Sequence, residues 1–241
     1  MSMKRILVIN PNTTGSVTDK VVDHCRRAHP DVSWHGVTSR FGAAYIASEL
    51  AYAIASHAML DAFADHYAGH DAVLIACFGD PGLLALREIA GVPVVGLAQA
   101  SFVAAARHGR FAVVTGGKAW EPMLARFART HMLDAQLAGI YTVELTGAQI
   151  AAAPEQSIDD LCQACQAGID AGARCVVLGG AALAGMAGML QARLSVPLLD
   201  NVSIGAASAV AATHLARPDA PQAGAAGAMT ALGPALTALL V

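Results

Sequence analysis

The feature that most constrains this chain is that it repeats itself once. Lys4-Arg5-Ile6-Leu7-Val8-Ile9 has the pattern of a short buried strand and runs into the turn residues Asn10-Pro11-Asn12-Thr13. Gly109-Arg110-Phe111-Ala112-Val113-Val114 runs in the same way into Thr115-Gly116-Gly117, with Arg110 standing 105 positions after Arg5. Further on, Val73–Ala76 enters Cys77-Phe78-Gly79-Asp80, passes through a helical stretch and reaches Val92-Pro93-Val94-Val95. Cys175–Leu178 enters Gly179-Gly180-Ala181-Ala182, passes through another and reaches Val196-Pro197-Leu198-Leu199, at offsets of 102 and 104. Short β-rich runs alternating with longer helical ones imply parallel strands covered by helices. The repeat therefore predicts an α/β chain of two similar lobes related by a pseudo-twofold axis, each lobe a parallel sheet flanked by helices. The first lobe is expected to comprise residues 1–100 together with about 206–241, and the second residues 101–205.

Helical spacing of apolar residues predicts helices over Ala43–Ala68, Ala119–Thr130 and Ile158–Ala173. In open parallel sheets, ligands sit beyond the carboxyl ends of the strands. Two facing lobes would bring together the loops 10–14, 77–82, 115–118 and 179–183, and the crevice between them is where chemistry is expected. At 55% hydrophobic and 14% charged residues, the chain is far from the profile of a disordered one. With 15 Lys+Arg against 18 Asp+Glu and no basic block, neither nucleic acid nor an anionic membrane is expected as a partner. The apolar run Ile6–Ile9 is too short for a signal peptide. The uncharged tail Ala223–Val241, broken by Gly233-Pro234, reads as a packed terminal helix rather than a membrane span. Five irregularly spaced cysteines without an export signal read as reduced thiols, which places the chain in the cytoplasm.

Cys77 ends an apolar strand and opens the loop Cys-Phe-Gly-Asp-Pro-Gly ahead of a helix. Free cysteines are commonly inert core residues, but one at this place is expected to feel helix N-terminal amides, which favour thiolate. Cys175 starts its strand at the end remote from the loops. Cys162 and Cys165 form a CxxC within a helical run, without a second pair or a His cluster, and Cys25 lies on a polar helical stretch. Asn10, Asn12, Thr13 and Thr14 read both as a turn with a helix N-cap and as a loop presenting N–H groups to a carboxylate or carbonyl. Thr115-Gly116-Gly117 is its counterpart in the second lobe. The nine histidines are scattered without HExxH, so no metal site is expected, and no GxGxxG, P-loop or GxSxG is present.

Ile-Asn-Pro-Asn-Thr-Thr (9–14) and Ala-Cys-Phe-Gly-Asp-Pro-Gly-Leu (76–83) resemble the hydantoin and allantoin racemases of the Asp/Glu/hydantoin racemase superfamily. The resemblance implies a cofactor-independent, homo-oligomeric isomerase acting on a small molecule. In that family one cysteine from each lobe faces the substrate's acidic carbon, so that a proton leaves from one side of a planar intermediate and returns on the other. Cys77 matches the first family cysteine. Asn10, Thr13, Phe78, Gly79, Thr115, Gly116, Gly180 and Ala181 match loop positions implied to bind substrate. The second cysteine is absent, because the family's Leu-Gly-Cys reads Leu178-Gly179-Gly180 here, and Gly179–Gln191 holds no titratable side chain. Three readings stay open: a racemase with another second donor, a one-cysteine enzyme resembling arylmalonate decarboxylase, and a non-catalytic binder of small carboxylates or ureides.

Overall fold

The computed structural model describes residues 3–216 and 232–240. Strands β1 (Lys4–Asn10), β2 (Val32–Thr38), β3 (Ala72–Ile75) and β4 (Val94–Gly96) make one four-stranded sheet in the order β2-β1-β3-β4. Strands β5 (Phe111–Gly116), β6 (Leu137–Val143), β7 (Cys175–Gly179) and β8 (Leu198–Asp200) make a second in the order β6-β5-β7-β8. Every pairing is parallel, and the two orders are the same once four is added to each strand number. The duplicated landmarks in the sequence are thus β1 and β5, β3 and β7, β4 and β8.

Ile6, Leu7, Val8 and Ile9 are all fully buried. Successive residues of a strand point to opposite faces, so a continuous apolar run of this kind requires helices on both. The helices are α1 (Gly15–Ala28), α2 (Glu49–His66), α3 (Leu83–Ile89), α4 (Leu97–Ala106), α5 (Trp120–Thr130), α6 (Gly147–Ala152), α7 (Ile158–Asp170), α8 (Ala187–Leu190), α9 (Asn201–Ala212) and α10 (Pro234–Leu240). Helices α4 and α9 each cross between lobes. Helix α4 follows β4 of the first sheet and packs on β7 and β8 of the second, while α9 follows β8 and packs on β3 and β4. The crossing joins the lobes through one core. Phe102 of α4 meets Phe111 of β5, Phe127 of α5 and Phe78 of the loop after β3, with ring centroids 5.4 to 5.9 Å apart. Arg126 of α5 reaches back to Glu49 of α2 at 2.8 Å.

The helix expected over Ala43–Ala68 is shorter than the periodicity predicts. Ser48 stops it at the N-terminus, its hydroxyl accepting from the Ala51 N–H at 3.1 Å, and Glu49 occupies the first turn, where a carboxylate favours the dipole. Residues 39–48 are left as a loop. Cys25, on a helical stretch that reads as polar in the sequence, is fully buried on the apolar face of α1 with Val21 and Val22. Of the tail expected to form a terminal helix, 223–231 and 241 lie outside the described residues, and α10 packs against α2. Among the described residues no helix is long and apolar enough to cross a membrane.

Candidate active site

The strand ends of the two sheets face each other across a cavity in which the centre of a water molecule can occupy about 90 Å3. Its first-lobe wall carries Asn12, Thr14, Tyr45, Ile46, Cys77 and Phe78, and its second-lobe wall Thr115, Gly116, Trp120, Gly147 and Gly180 to Leu183. The loops opened by Cys77 and Gly180 interlock. The Phe78 ring lies where a Cβ on residue 179 would have to be, so only glycine fits there. Gly180 itself has φ +127°, a conformation that side chains rarely adopt. A Cβ built on it would stand 3.4 Å from Leu183 Cγ and 3.7 Å from Thr115 Oγ1, at ordinary contact distance.

Cys77 is 6% exposed at the cavity wall. Burial pushes its thiol above the ordinary value, and the Asp80 carboxylate pushes it the same way. The lowering expected from helix amides does not arise, because α3 begins only at Leu83 and the turn 77–82 stands between. Burial also raises Cys25 and Cys165, each to about 12, and Cys175 to about 11, so thiolate character does not set Cys77 apart. Position does: of the five cysteines it is the one lining the cavity.

Asp80 fixes the turn behind that thiol. It sits at φ +51° and is 1% exposed. Its Oδ1 accepts from the Ala98 N–H at 2.9 Å and its Oδ2 from the Gln99 N–H at 2.7 Å, which ties the turn to the first turn of α4. Burial raises this carboxyl to about 7, while the two N–H groups and Arg87 hold it down. The Tyr52 hydroxyl donates to the Gly79 carbonyl at 2.8 Å and secures the same turn from α2.

Phe78, Thr115, Gly116, Gly180 and Ala181 line the cavity with Cys77. Asn10, Thr13 and Gly79 do not, and each has a local reason. Asn10 is fully buried beneath its loop. Its Nδ2 donates to Asn12 Oδ1, the Thr14 carbonyl and Thr18 Oγ1 at 3.0 to 3.1 Å, and its Oδ1 accepts from the Asn12 N–H. Thr13 is turned toward the 39–48 loop, its N–H donating to the Ala43 carbonyl at 3.1 Å. Gly79 presents its carbonyl to Tyr52, and its Cα faces the Trp120 ring. The neighbours Asn12 and Thr14 take the wall positions instead.

Tyr45, Trp120 and Gly147 line the cavity without having been singled out in the sequence. Tyr45 lay inside a stretch with helical spacing, and only the Ser48 cap shows that it belongs to a loop. Trp120 opens α5 and Gly147 opens α6, and the strand-to-helix grammar that marks Thr115-Gly116 carries no sign that the next helix N-terminus also reaches the crevice. Among the described residues no group of three or more His, Cys, Asp and Glu side chains is placed to hold a metal ion.

A model of the Asp/Glu/Hydantoin racemase family matches residues 6–209. A hydantoin racemase of Pseudomonas sp. (strain NS671) is 32% identical over 206 residues, covering 83% of this chain and 82% of its own. Among solved structures, the allantoin racemase from Klebsiella pneumoniae superposes with a TM-score of 0.81 at 28% identity, over 86% of each chain. Arylmalonate decarboxylase, with a TM-score of 0.60 at 17% identity over 90% of this chain and 96% of its own, shares the fold.

Proposed function

This chain belongs to the Asp/Glu/hydantoin racemase family, and on that premise we propose that it is a cofactor-independent isomerase of the hydantoin and allantoin racemase type. Its substrate is a small carbon acid of hydantoin, allantoin or amino-acid-derivative character. Cys77 is the acid/base group on the first wall, and the site lies in the cytoplasm in a homo-oligomer. The observation that carries this reading is the convergence of Cys77 with Thr115, Gly116, Gly180 and Ala181 on one inter-lobe cavity. Phe78, Thr115, Gly116, Gly180 and Ala181 bind the substrate, while Asn10, Thr13 and Gly79 hold the loops that do so. We assign residues 1–100 and the chain from about 206 to the first lobe and residues 101–205 to the second, with α4 and α9 crossing between them.

The chemistry follows from the wall composition. Abstraction of the proton leaves an enolate whose charge falls on the neighbouring carbonyl oxygen, and backbone N–H groups of the loops around the cavity would stabilise it. The otherwise apolar surroundings strengthen those hydrogen bonds relative to water. One observation favours a second reading. With Gly at 180 the cavity holds a single thiol, which is all that protonation of a decarboxylated carbanion needs.

The test uses enantiopure 5-methylhydantoin and allantoin in deuterium oxide, followed by proton NMR and chiral chromatography, with phenylmalonate run alongside. Inversion by the native protein and a loss of about 10²–10⁴-fold in Cys77→Ala are expected. An inverting Cys77→Ala variant would remove Cys77 from the mechanism. Carbon dioxide release from phenylmalonate with no exchange of the hydantoins would replace the racemase reading by the decarboxylase one.

A further inference from the structure

Racemisation needs a proton donor on each side of the planar intermediate, and position 180 supplies none. We propose that Tyr45 is the acid/base group of the second wall, doing from across the cavity what a thiol at position 180 would do. The inference rests on the racemase reading above and names a residue it leaves open.

Cys77 and Tyr45 are the titratable side chains among the described residues that line the cavity. The hydroxyls of Thr14 and Thr115 also reach it, but aliphatic hydroxyls do not ionise in the working range of water, whereas a phenol titrates near 10. Tyr45 belongs to the first lobe by sequence, yet its hydroxyl lies against the second. It donates to the Gly116 carbonyl at 3.3 Å, one residue along β5 from Thr115, whose Oγ1 is 3.7 Å from the Cβ position of residue 180. The phenol therefore reaches across the crevice from its first-lobe loop to the second-lobe strand β5, whose Thr115 adjoins the place left without a side chain. A hydrogen bond of 3.3 Å is long for an O–H donor and is readily surrendered to a substrate.

The residues around Tyr45 hold it there. The Thr13 N–H donates to the Ala43 carbonyl at 3.1 Å and the Thr14 hydroxyl to the Ala44 carbonyl at 2.8 Å, so the loop is pinned to the end of β1 immediately before Tyr45. Burial holds the phenol above its ordinary value and the nearby Cys77 adds to this, while a hydrogen bond with the Trp120 side chain works the other way and favours phenolate. Half-buried at the cavity wall, the group stays protonated at neutral pH and is a donor first.

The step balances without another reactant. The Cys77 thiolate takes the proton from the acidic carbon, the C–H electron pair passes into the enolate, and the Tyr45 O–H protonates the opposite face, leaving a thiol and a phenolate. The phenolate then takes a proton from the other enantiomer in the reverse turnover, or exchanges with water.

The test is the exchange of each enantiomer of 5-methylhydantoin and allantoin in deuterium oxide at about pH 9. Tyr45→Phe, which keeps the ring and its packing, should lose about 10²–10⁴-fold of inversion. It should still exchange the one enantiomer that turns its hydrogen to Cys77. Cys77→Ala should exchange the opposite enantiomer, and the double variant neither. Inversion by Tyr45→Phe at the native rate would overturn the proposal. So would loss of exchange of both enantiomers in that variant, which marks a binding role, or exchange of the same enantiomer by both single variants. A native protein that exchanges neither compound sinks the racemase reading, and this proposal with it, before any variant is made.

Discussion

A thiol returned to position 180 should restore inversion to a protein that has lost Tyr45. In a Tyr45→Phe background no titratable group but Cys77 lines the cavity among the described residues, so the added substitution Gly180→Cys supplies an acid/base on the second-lobe side. Space is available, since the new Cβ would meet Leu183 Cγ at 3.4 Å, Leu183 Cδ1 at 3.5 Å and Thr115 Oγ1 at 3.7 Å. Conformation is the obstacle. At φ +127° and ψ 122° the position lies where L-residues are strained, at a cost toward the upper end of about 1–3 kcal/mol unless the turn rotates. For a chain of this length that corresponds to a melting temperature lower by about 6–12 °C. The positioned thiol should in return raise inversion by about 10²–10⁴-fold over Tyr45→Phe alone. Thermal melts establish that the double variant is folded, alkylation with peptide mapping establishes that the new thiol is accessible, and chiral chromatography gives inversion against deuterium exchange. A folded double variant with an accessible thiol at 180 and no gain in inversion would refute the argument. It would mean that residue 180 does not face the carbon that Cys77 serves.

Two further outcomes follow from the environment of Cys77. Because burial and Asp80 raise its thiol, thiolate is scarce at neutral pH and appears only as pH rises, so kcat/KM and iodoacetamide labelling should both climb about tenfold per unit between about pH 7 and 9. A plateau by pH 8 would show a thiol depressed below its ordinary value of about 8.5, the opposite of what burial and Asp80 impose. Asp80→Asn retains a residue that tolerates positive φ but replaces one acceptor by an NH2 group facing a backbone N–H. It should cost about 1–3 kcal/mol, visible as a lower melting temperature, and should move the labelling of Cys77 to lower pH. An unmoved labelling profile would show that the carboxylate charge does not reach the thiol.

How much of this was legible in the sequence depends on how local each cause is. Strands β1, β3, β5 and β7 are buried on both faces, so they read as unbroken apolar runs, and their recurrence placed both sheets and the crevice between them. The edge strands β2 and β6 are mostly half-buried and mix Ser, His, Gly and Thr with apolar residues, and nothing in their spacing marks them as strands. Cys77 could be found because a strand end followed by a glycine turn is a local pattern. Its acidity could not, because it is set by burial and by a carboxylate that is itself held by Ala98 and Gln99, 18 and 19 residues further along. Asn10 shows the same limit from the other side: a polar residue at a strand end reads as a ligand contact, yet four hydrogen bonds within its own loop and to α1 consume it. Tyr45 was hidden by the alanine-rich run around it, whose helical spacing continues across the Ser48 cap. The lack of any side chain at Gly179-Gly180, by contrast, was plain in the sequence. Its consequence needed the fold, since only there does a first-lobe tyrosine lie against the second-lobe strand whose Thr115 adjoins Gly180.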